Sequence, residues 1–290
     1  MPRTSSPLRY PGGKTQLSSF VKNLLEINNI VGGTYIEPFA GGAGVAIQLL
    51  LEGDVESIVI NDYDKSIYSI WYSILNNTER FINLISDTPV TIEEWYRQKE
   101  IYLRNKNRQN SLEGGFATFF LNRTNVSGII SGGPIGGIKQ TGKYKIDCRF
   151  NKKDLIRKIR LVASRREAIT LYRKDALKLI NIINENYNNE TTFIFFDPPY
   201  YVQGKNLYLS FYSNESHKKL FNKIETLRDF FWITTYDYAP QIADIYQKIE
   251  RKYEYKLSYS VNKKRKAKEY MFASEKTQIR SFDKVLLSKI

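Results

Sequence analysis

The feature that most constrains the fold of this chain is the short apolar run Phe193-Ile194-Phe195-Phe196, which ends directly at Asp197-Pro198-Pro199-Tyr200. Four bulky apolar residues bounded by a proline pair are typical of a strand that is buried on both faces of a parallel sheet. In open α/β sheets, ligands bind at the carboxyl ends of such strands. We therefore expect an α/β fold with a mainly parallel sheet and a binding site at Asp197.

The tetrapeptide itself carries groups that suit recognition of a flat, amino-bearing ligand. Asp197 offers an acceptor for an N–H of the ligand, and Tyr200 offers the face of an aromatic ring. Pro198 and Pro199 restrict φ, which allows the main-chain carbonyls there to act as a fixed second acceptor. The alternative interpretation is structural: a strand followed by a proline-rich turn, with Asp197 capping a helix.

A second unit runs from an apolar stretch at Thr34 through the glycine-rich turn Gly41-Gly42-Ala43-Gly44 into a helical pattern over 45–50. Strand, glycine turn and helix form the opening unit of a nucleotide-type fold, in which glycines let a ligand lie against the main chain. The turn lacks the spacing of the dinucleotide fingerprint and of the phosphate-binding P-loop. Glu37 precedes the glycines and would repel a pyrophosphate, so a ligand with an ammonium group is favoured.

Two further carboxylates follow strand-like runs. Asp62 ends the run 57–61, roughly twenty residues past the glycine turn, where an acidic side chain can accept hydrogen bonds from ribose hydroxyls. Its alternative role is the N-cap of a helix that begins at Lys65. Asp175 follows an apolar alternation and precedes a helical pattern, so it could accept from an exocyclic amine or cap that helix.

The N-terminal segment Tyr10-Pro11-Gly12-Gly13-Lys14 precedes an apolar helical pattern over 17–25. A glycine pair ahead of a helix, with a lysine in the first turn, is suited to receive an anion such as a ligand carboxylate. A plain glycine turn is the alternative. We call this segment, 10–14, the lysine loop. Together with the glycine turn and four acceptors, it fits a nucleoside that bears an amino-acid tail. The four acceptors are Glu37, Asp62, Asp175 and Asp197.

The charge of the chain narrows the class of partner. There are 44 Lys and Arg against 30 Asp and Glu, a formal net charge of +14. This excess favours a polyanion, and nucleic acid over a membrane surface because no strongly amphipathic apolar helix accompanies it. A solvated basic surface without a partner is the alternative.

The single cysteine and the single histidine exclude several kinds of site. One Cys and one His cannot build an internal disulfide framework, a cysteine-rich zinc site or a multi-histidine metal centre. We expect Cys148 to be partly buried and His217 to lie on a solvated helix face. No segment approaches about 18 continuous apolar residues and no signal peptide is evident, so we expect a cytoplasmic protein without a membrane partner.

In this order, the lysine loop, the glycine turn with Glu37 and the tetrapeptide at Asp197 resemble the motifs of the Dam-type (D12 class) DNA adenine-N6 methyltransferases. The resemblance covers nearly the whole chain. It implies a Rossmann-like methyltransferase sheet that uses S-adenosylmethionine, leaves S-adenosylhomocysteine and needs no metal.

The resemblance also implies a set of cofactor contacts. They are Tyr10 and Lys14 near the methionine part, Glu37 and Phe39 beside the sulfonium and amino-acid region, Gly41 in the glycine turn, Asp62 at the ribose hydroxyls, Asp175 at the adenine amine, and Asp197. Many members have Trp-Ala where this chain has Tyr10-Pro11. Pro11 lacks an N–H donor, which removes one main-chain contact.

For catalysis, the resemblance implies the set Asp197, Pro198, Pro199 and Tyr200. The lone pair of adenine N6 is delocalised into the ring, so the amine is a poor nucleophile. Asp197 and the Pro198 carbonyl would accept both N6 hydrogens, favouring a tetrahedral nitrogen aimed at the methyl group. The base would be flipped out of the duplex and stacked on Tyr200, with Phe211 or Tyr212 on its other side.

The remaining segments suggest a target-recognition insertion at 65–165 between the catalytic parts 1–64 and 166–290. Helical patterns cover 67–75 and 92–103, and the glycine-rich stretch 128–142 is not expected to be regular. A second basic cluster, 263–268, is predicted to form a charged loop at the tip of a hairpin. Residues able to contact bases or phosphates of DNA are Arg123, Asn125, Lys139, Gln140, Lys143, Lys264 and Arg265.

The predicted function is therefore methylation of adenine N6 at a specific sequence of double-stranded DNA. The same transfer to RNA, and a DNA-binding homologue without activity, are the alternatives. A separately encoded restriction endonuclease that shares the site is a further candidate partner.

Overall fold

The computed structural model describes residues 4–9, 14–202, 212–261 and 263–290, without the side chains of 258–266. The α-helices of this part are α1 (Ser18–Ile27), α2 (Gly44–Glu52), α3 (Lys65–Asn76), α4 (Thr78–Asp87), α5 (Ile92–Asn105), α6 (Leu112–Thr124), α7 (Lys152–Ala163), α8 (Ala176–Asn186), α9 (Asn214–Ile224) and α10 (Pro240–Ile245). The strands are β1 (Thr34–Glu37), β2 (Ser57–Asn61), β3 (Ile169–Tyr172), β4 (Thr192–Phe196), β5 (Phe231–Asp237), β6 (Lys252–Val261), β7 (Lys263–Ala273) and β8 (Ser288–Lys289).

The eight strands form a single sheet in the order β3-β2-β1-β4-β5-β7-β6-β8. Pairs among β1 to β5 are parallel, whereas β5 and β7, β7 and β6, and β6 and β8 are antiparallel. The predicted α/β, Rossmann-like fold class is confirmed. The chain moves outward from β1 to β3 and then returns to the other side of β1 at β4, so the crevice for a ligand is expected between the ends of β1 and β4.

Strand β4 is the predicted buried strand, and every residue of it is buried. Phe193 and Phe195 pack on one face of the sheet with α1, α2 and the helical insertion. Ile194 and Phe196 pack on the other face with α8, α9 and α10. Because helices cover both faces, the strand can be apolar at every position, which explains the continuous run in the sequence.

The insertion between β2 and β3 is helical, as predicted for 67–75 and 92–103, where α3 and α5 lie. Its centre is α6, whose Phe119 and Phe120 are fully buried. The indole N–H of Trp71, on α3, donates to the carbonyl of Gly41 at 2.9 Å. The insertion therefore packs directly against the glycine turn; the predicted domain limits stay a prediction.

The predicted hairpin is present, but the charged loop is not. Residues 263–268 are paired with 256–261 of β6 and so belong to strand β7. The pairing of β5 with β7 ends at Asp237 and Glu269. The hairpin therefore extends past the carboxyl end of β5, on the same edge of the sheet as Asp197.

Two predictions about single residues are wrong. His217 is fully buried on α9 rather than solvated, because it packs between aromatic rings on the apolar side of that helix. Cys148 is exposed in a short turn of 3-10 helix rather than partly buried. Among the described residues, no helix is long and apolar enough to cross a membrane.

Asn61 joins three segments at the carboxyl edge of the sheet. Its buried amide donates to the carbonyls of Pro38 at 2.9 Å and Lys174 at 3.0 Å, and its Oδ1 accepts from the Lys174 N–H at 2.8 Å. The segments that follow β1, β2 and β3 are thereby held together.

Replacing Asn61 by Ala should lower the free energy of unfolding by roughly 1–3 kcal/mol, because three backbone groups that are buried or partly buried lose their partner. Urea denaturation measures the change. The control is Asn186→Ala, an exposed residue whose side chain donates to the carbonyl of Ile182, and it should stay within about 0.5 kcal/mol of the wild type. Equal stability of the two variants would contradict this role of Asn61.

Candidate active site

Asp197 lies at the carboxyl end of β4 and is held by two partners. The hydroxyl of Thr235, on β5, donates to its Oδ1 at 2.8 Å, and Lys14 Nζ lies 3.4 Å from the same oxygen. The side chain keeps 22% of its surface exposed. Burial raises the pKa of Asp197 to about 6, while the positive charge of Lys14 opposes that rise. At neutral pH Asp197 is therefore a fixed carboxylate that keeps part of its surface accessible at the carboxyl end of β4.

Lys14 is buried and lies among groups from distant parts of the chain. Its Nζ donates to Tyr200 Oη at 2.7 Å and to Glu269 Oε2 at 2.8 Å. Tyr200 Oη in turn donates to Glu269 Oε1 at 2.9 Å. The lysine loop is thus joined to the tetrapeptide, which the sequence analysis did not foresee.

Glu269 and Asp237 are site residues that the sequence analysis missed. Glu269 lies within a basic run, and being the only acidic residue there was the available signal. Asp237 is the last residue of β5, and a carboxylate at the end of a strand is the same signal that identified Asp62. Its carboxylate accepts from the N–H groups of Tyr201 at 2.8 Å and Val202 at 2.9 Å, and so fixes the segment after Tyr200.

Glu37 ends β1 as a buried carboxyl group. It accepts from the N–H of Ala46 at 3.0 Å and from Tyr35 Oη at 3.1 Å. Burial raises the pKa of Glu37 to about 8, against these two hydrogen bonds, and the charge of Asp197 adds to the rise. A positively charged ligand beside Glu37 would reverse this effect and ionise the group.

Asp62 connects β2 to the glycine turn. Its Oδ2 accepts from the N–H of Gly41 at 3.0 Å, and its Oδ1 accepts from the N–H of Asp64 at 2.9 Å. Burial, with the neighbouring Asp64 charge, raises the pKa of Asp62 to about 7. Gly41 has a φ of 46°, a conformation that favours glycine.

Asp62 and Asp175, which could each cap a helix, differ in whether they do so. Asp64, not Asp62, caps α3, since its side chain accepts from the N–H groups of Ser66 and Ile67. Asp175 does cap α8 by accepting from the N–H of Leu177 at 2.9 Å. Capping leaves Asp175 with acceptor capacity for a ligand, because each carboxylate oxygen can accept more than one hydrogen bond.

Aromatic side chains line the same edge of the sheet. Phe39 is partly buried and meets Tyr212 edge to face at 6.1 Å. Tyr212 packs on His217, whose Nδ1 lies 3.2 Å from Tyr236 Oη. Burial lowers the pKa of His217 to about 4, so the ring is neutral at physiological pH. Tyr10 and Phe211 lie outside the described residues.

The predicted DNA contacts fall into two groups. The amide of Asn125 is buried and satisfied within the protein, by Trp95 Nε1 at 2.7 Å and by the carbonyls of Ile129 and Ile130 at 2.9 Å each. Arg123 donates to the carbonyl of Arg149 at 2.8 Å, and burial lowers its pKa to about 10. These two side chains hold the insertion together, which argues against contacts with DNA.

The others retain access to solvent or cannot be assessed. Lys139 and Lys143 are exposed. The half-buried amide of Gln140 donates to the carbonyl of Ile135 at 2.8 Å and so shapes its own loop. The side chains of Lys264 and Arg265 lie outside the described residues. In the described part of the chain, no group of three or more His, Cys, Asp or Glu residues could hold a metal ion.

Comparison with known proteins gives one family and two relatives. The family described as D12 class N6 adenine-specific DNA methyltransferase matches residues 10–261. Type II methyltransferase M.MjaIII of Methanocaldococcus jannaschii is 28% identical over 207 residues, 67% of this chain and 68% of that protein. Type II methyltransferase M.CviBI of Paramecium bursaria Chlorella virus NC1A is 24% identical over 258 residues, 86% of this chain and 91% of that protein.

Among solved structures, the rRNA methyltransferase AviRa of Streptomyces viridochromogenes aligns with a TM-score of 0.39 and 10% identity, over 92% of this chain and 87% of that one. A likeness at this level says nothing about the substrate.

The raised pKa of Glu37 makes stability depend on pH in a defined direction. The unfolded group titrates near 4.5 and the folded group near 8. The stability that neutral Glu37 contributes is complete below about pH 4.5 and is lost as the pH rises towards 8. Relative to Glu37→Gln, the ligand-free wild type should therefore lose stability between pH 5 and 8, as measured by chemical denaturation. Exposed Glu56→Gln should keep the wild-type profile. Parallel profiles for the wild type and Glu37→Gln would show that Glu37 titrates normally.

Proposed function

The chain belongs to the D12 class of N6 adenine-specific DNA methyltransferases, and from this premise we propose how its own residues perform the reaction. Its activity is methylation of adenine N6 in DNA, in agreement with the two Type II methyltransferase relatives. The family favours DNA over RNA as the substrate, and the alternative of an inactive DNA-binding homologue is tested by the activity measurement below.

The acceptor half of the proposed site consists of Asp197 and the main-chain carbonyl of Pro198. Each accepts one hydrogen of N6, which shifts the nitrogen lone pair out of the ring and towards the methyl donor. The observation that carries this proposal is Asp197 at the end of β4, fixed by Thr235 and Lys14 yet still open to the crevice. A preorganised acceptor of this kind acts where positive charge develops on the nitrogen.

S-adenosylmethionine is the proposed cofactor and supplies the electrophilic methyl group when bound. The donor set of the crevice fits its chemistry. Glu37, a buried carboxyl group with a raised pKa, is suited to an ammonium or sulfonium, and Asp62 to ribose hydroxyls. Asp175 would accept from the adenine amine, Gly41 gives close approach to the main chain, and Tyr10 and Phe39 add apolar surface.

Methyl transfer is proposed as one in-line displacement. In this step N6 would form a bond to the methyl carbon as the carbon–sulfur bond breaks, and one N6 proton would then leave. This route needs no covalent bond to the protein. Asp197 is the nearest base for the departing proton, since its pKa of about 6 lets it hold a proton transiently.

Base flipping is the proposed way for adenine to reach Asp197, since N6 is paired and stacked in a duplex. Tyr200 is proposed to stack on the flipped base. Its ring is buried and its hydroxyl is fixed by Lys14 and Glu269, so its orientation is set before DNA binds. Tyr212 is the proposed partner on the other face, supported by its packing beside Phe39.

The proposed DNA surface includes the hairpin of β6 and β7. Over 252–273 the sequence has seven Lys and Arg against two Glu, and the outer part of the hairpin extends past β5 at the edge that bears Asp197. Such a charge excess suits phosphates, whose binding weakens steeply as salt increases. Exposed Lys139 and Lys143 are proposed to add to this surface. A separately encoded restriction endonuclease for the same sequence is a proposed partner, in keeping with the Type II names of both relatives.

Asp197→Ala tests the proposed acceptor. Loss of the preorganised carboxylate should lower methyl transfer to duplex DNA by roughly 10²- to 10³-fold, while cofactor binding stays close to that of the wild type. Transfer of a labelled methyl group measures the first quantity, and equilibrium binding the second. Asp229→Ala, at an exposed turn before β5, should retain full activity. Wild-type transfer by Asp197→Ala would remove Asp197 from the mechanism.

A further inference from the structure

Glu269 is a buried carboxylate at the point where the hairpin joins the sheet. It lies on β7, in register with Asp237 of β5 on one side and Tyr255 of β6 on the other. Only 1% of its surface is exposed. A charge at such a position is costly unless it is paired and hydrogen-bonded, so its partners determine what it does.

The partners of Glu269 come from three distant segments. Lys14 Nζ donates to its Oε2 at 2.8 Å, Tyr255 Oη donates to the same oxygen at 2.6 Å, and Tyr200 Oη donates to its Oε1 at 2.9 Å. Lys14 Nζ also donates to Tyr200 Oη at 2.7 Å, which closes a ring of three groups. The lysine loop, the tetrapeptide and the hairpin therefore meet at this carboxylate.

The distances show how the single ammonium of Lys14 is shared between two carboxylates. Lys14 Nζ lies 2.8 Å from Glu269 and 3.4 Å from Asp197. Without Glu269, the nearest acidic partner of the ammonium would be Asp197. A closer ion pair there would use acceptor capacity of the carboxylate that the substrate amine needs and would pull the side chain towards the lysine loop.

We propose that Glu269 is a positioning residue for methyl transfer: it fixes the Tyr200 ring and keeps Lys14 from closing on Asp197, so that Asp197 can accept from the substrate amine. This inference rests on the proposed roles of Asp197 and Tyr200. Because well-packed apolar groups can often replace a buried ion pair without loss of stability, stability alone does not explain the pair of Glu269 and Lys14.

The effect on Asp197 has a definite sign. Among the described residues, the charged and titratable groups that interact with Asp197 include Lys14, Glu269, Glu37 and Tyr35, and the Thr235 hydroxyl donates a hydrogen bond to it. Replacing Glu269 by Gln removes a negative charge and leaves Lys14 to pair with Asp197. Both changes favour ionised Asp197, so its pKa should fall below the value of about 6 in the wild type.

Glu269→Gln provides the main test. We expect kcat to fall roughly 10- to 100-fold, as for a misplaced reacting group, with little change in KM for the cofactor. The acid limb of the pH profile of kcat should move to lower pH. The control is Glu250→Gln, an exposed residue that precedes β6, and it should leave kcat and the acid limb unchanged.

Combination with Tyr200→Phe tests whether Glu269 acts through Tyr200. If it does, the fold-loss of kcat in the double variant should be smaller than the product of the fold-losses in Glu269→Gln and Tyr200→Phe. If Glu269→Gln does not fold, Tyr255→Phe removes one hydroxyl donor to Glu269, and it should lower kcat less strongly while KM for the cofactor stays constant.

Two outcomes overturn the inference. The first is an unchanged kcat in Glu269→Gln or, where that variant does not fold, in Tyr255→Phe. The second is a loss of kcat without a shift of the acid limb, together with fully multiplicative effects of Glu269→Gln and Tyr200→Phe. Both outcomes differ from failure of the proposed function itself. If the proposed function failed, Asp197→Ala would remain active, or the wild type would transfer no methyl group to DNA.

Discussion

Burial of acidic side chains at one edge of a parallel sheet is the constraint on which the rest of the site depends. Glu37, Asp62 and Asp197 each follow a strand, and burial raises the pKa of all three. Each is stabilised by a local donor: the N–H of Ala46, the N–H of Gly41, or the hydroxyl of Thr235. Carboxylates in such surroundings interact strongly with a positively charged ligand, and the proposed methyl donor carries a positive charge.

Two carboxylates at this edge of the sheet share one lysine. Lys14 is the buried ammonium group beside Asp197, and it is divided between Asp197 and Glu269. Asp197 follows Lys14 by 183 positions in the chain, and Glu269 follows it by 255. This network of ion pairs and hydrogen bonds therefore forms only when the N-terminal loop, the centre of the sheet and the C-terminal hairpin are all in place.

Much of the fold and part of the site could be predicted because their signals are local. A buried strand followed by a carboxylate is readable in a few residues, which is how Glu37, Asp62, Asp175 and Asp197 were identified. The helices α3 and α5 were equally visible from their apolar spacing. The position of β7 also follows from its apolar end, whereas its charged half has the composition of a loop.

What could not be predicted depends on partners far away in the sequence. Asn125 has the polar character of a DNA contact, but Trp95 buries and satisfies it. His217 resembles a helix-face residue, yet aromatic rings from β5 and from the segment before α9 enclose it. Glu269 gains its importance from the register of a hairpin, which no local pattern determines.

Sequencing of single plasmid molecules after incubation with the enzyme and S-adenosylmethionine tests whether this edge of the sheet directs a methyl group to adenine N6. We expect N6-methyladenine at the copies of one short sequence and none elsewhere. No N6-methyladenine above background, or methylation on the amino group of cytosine instead, would contradict this expectation.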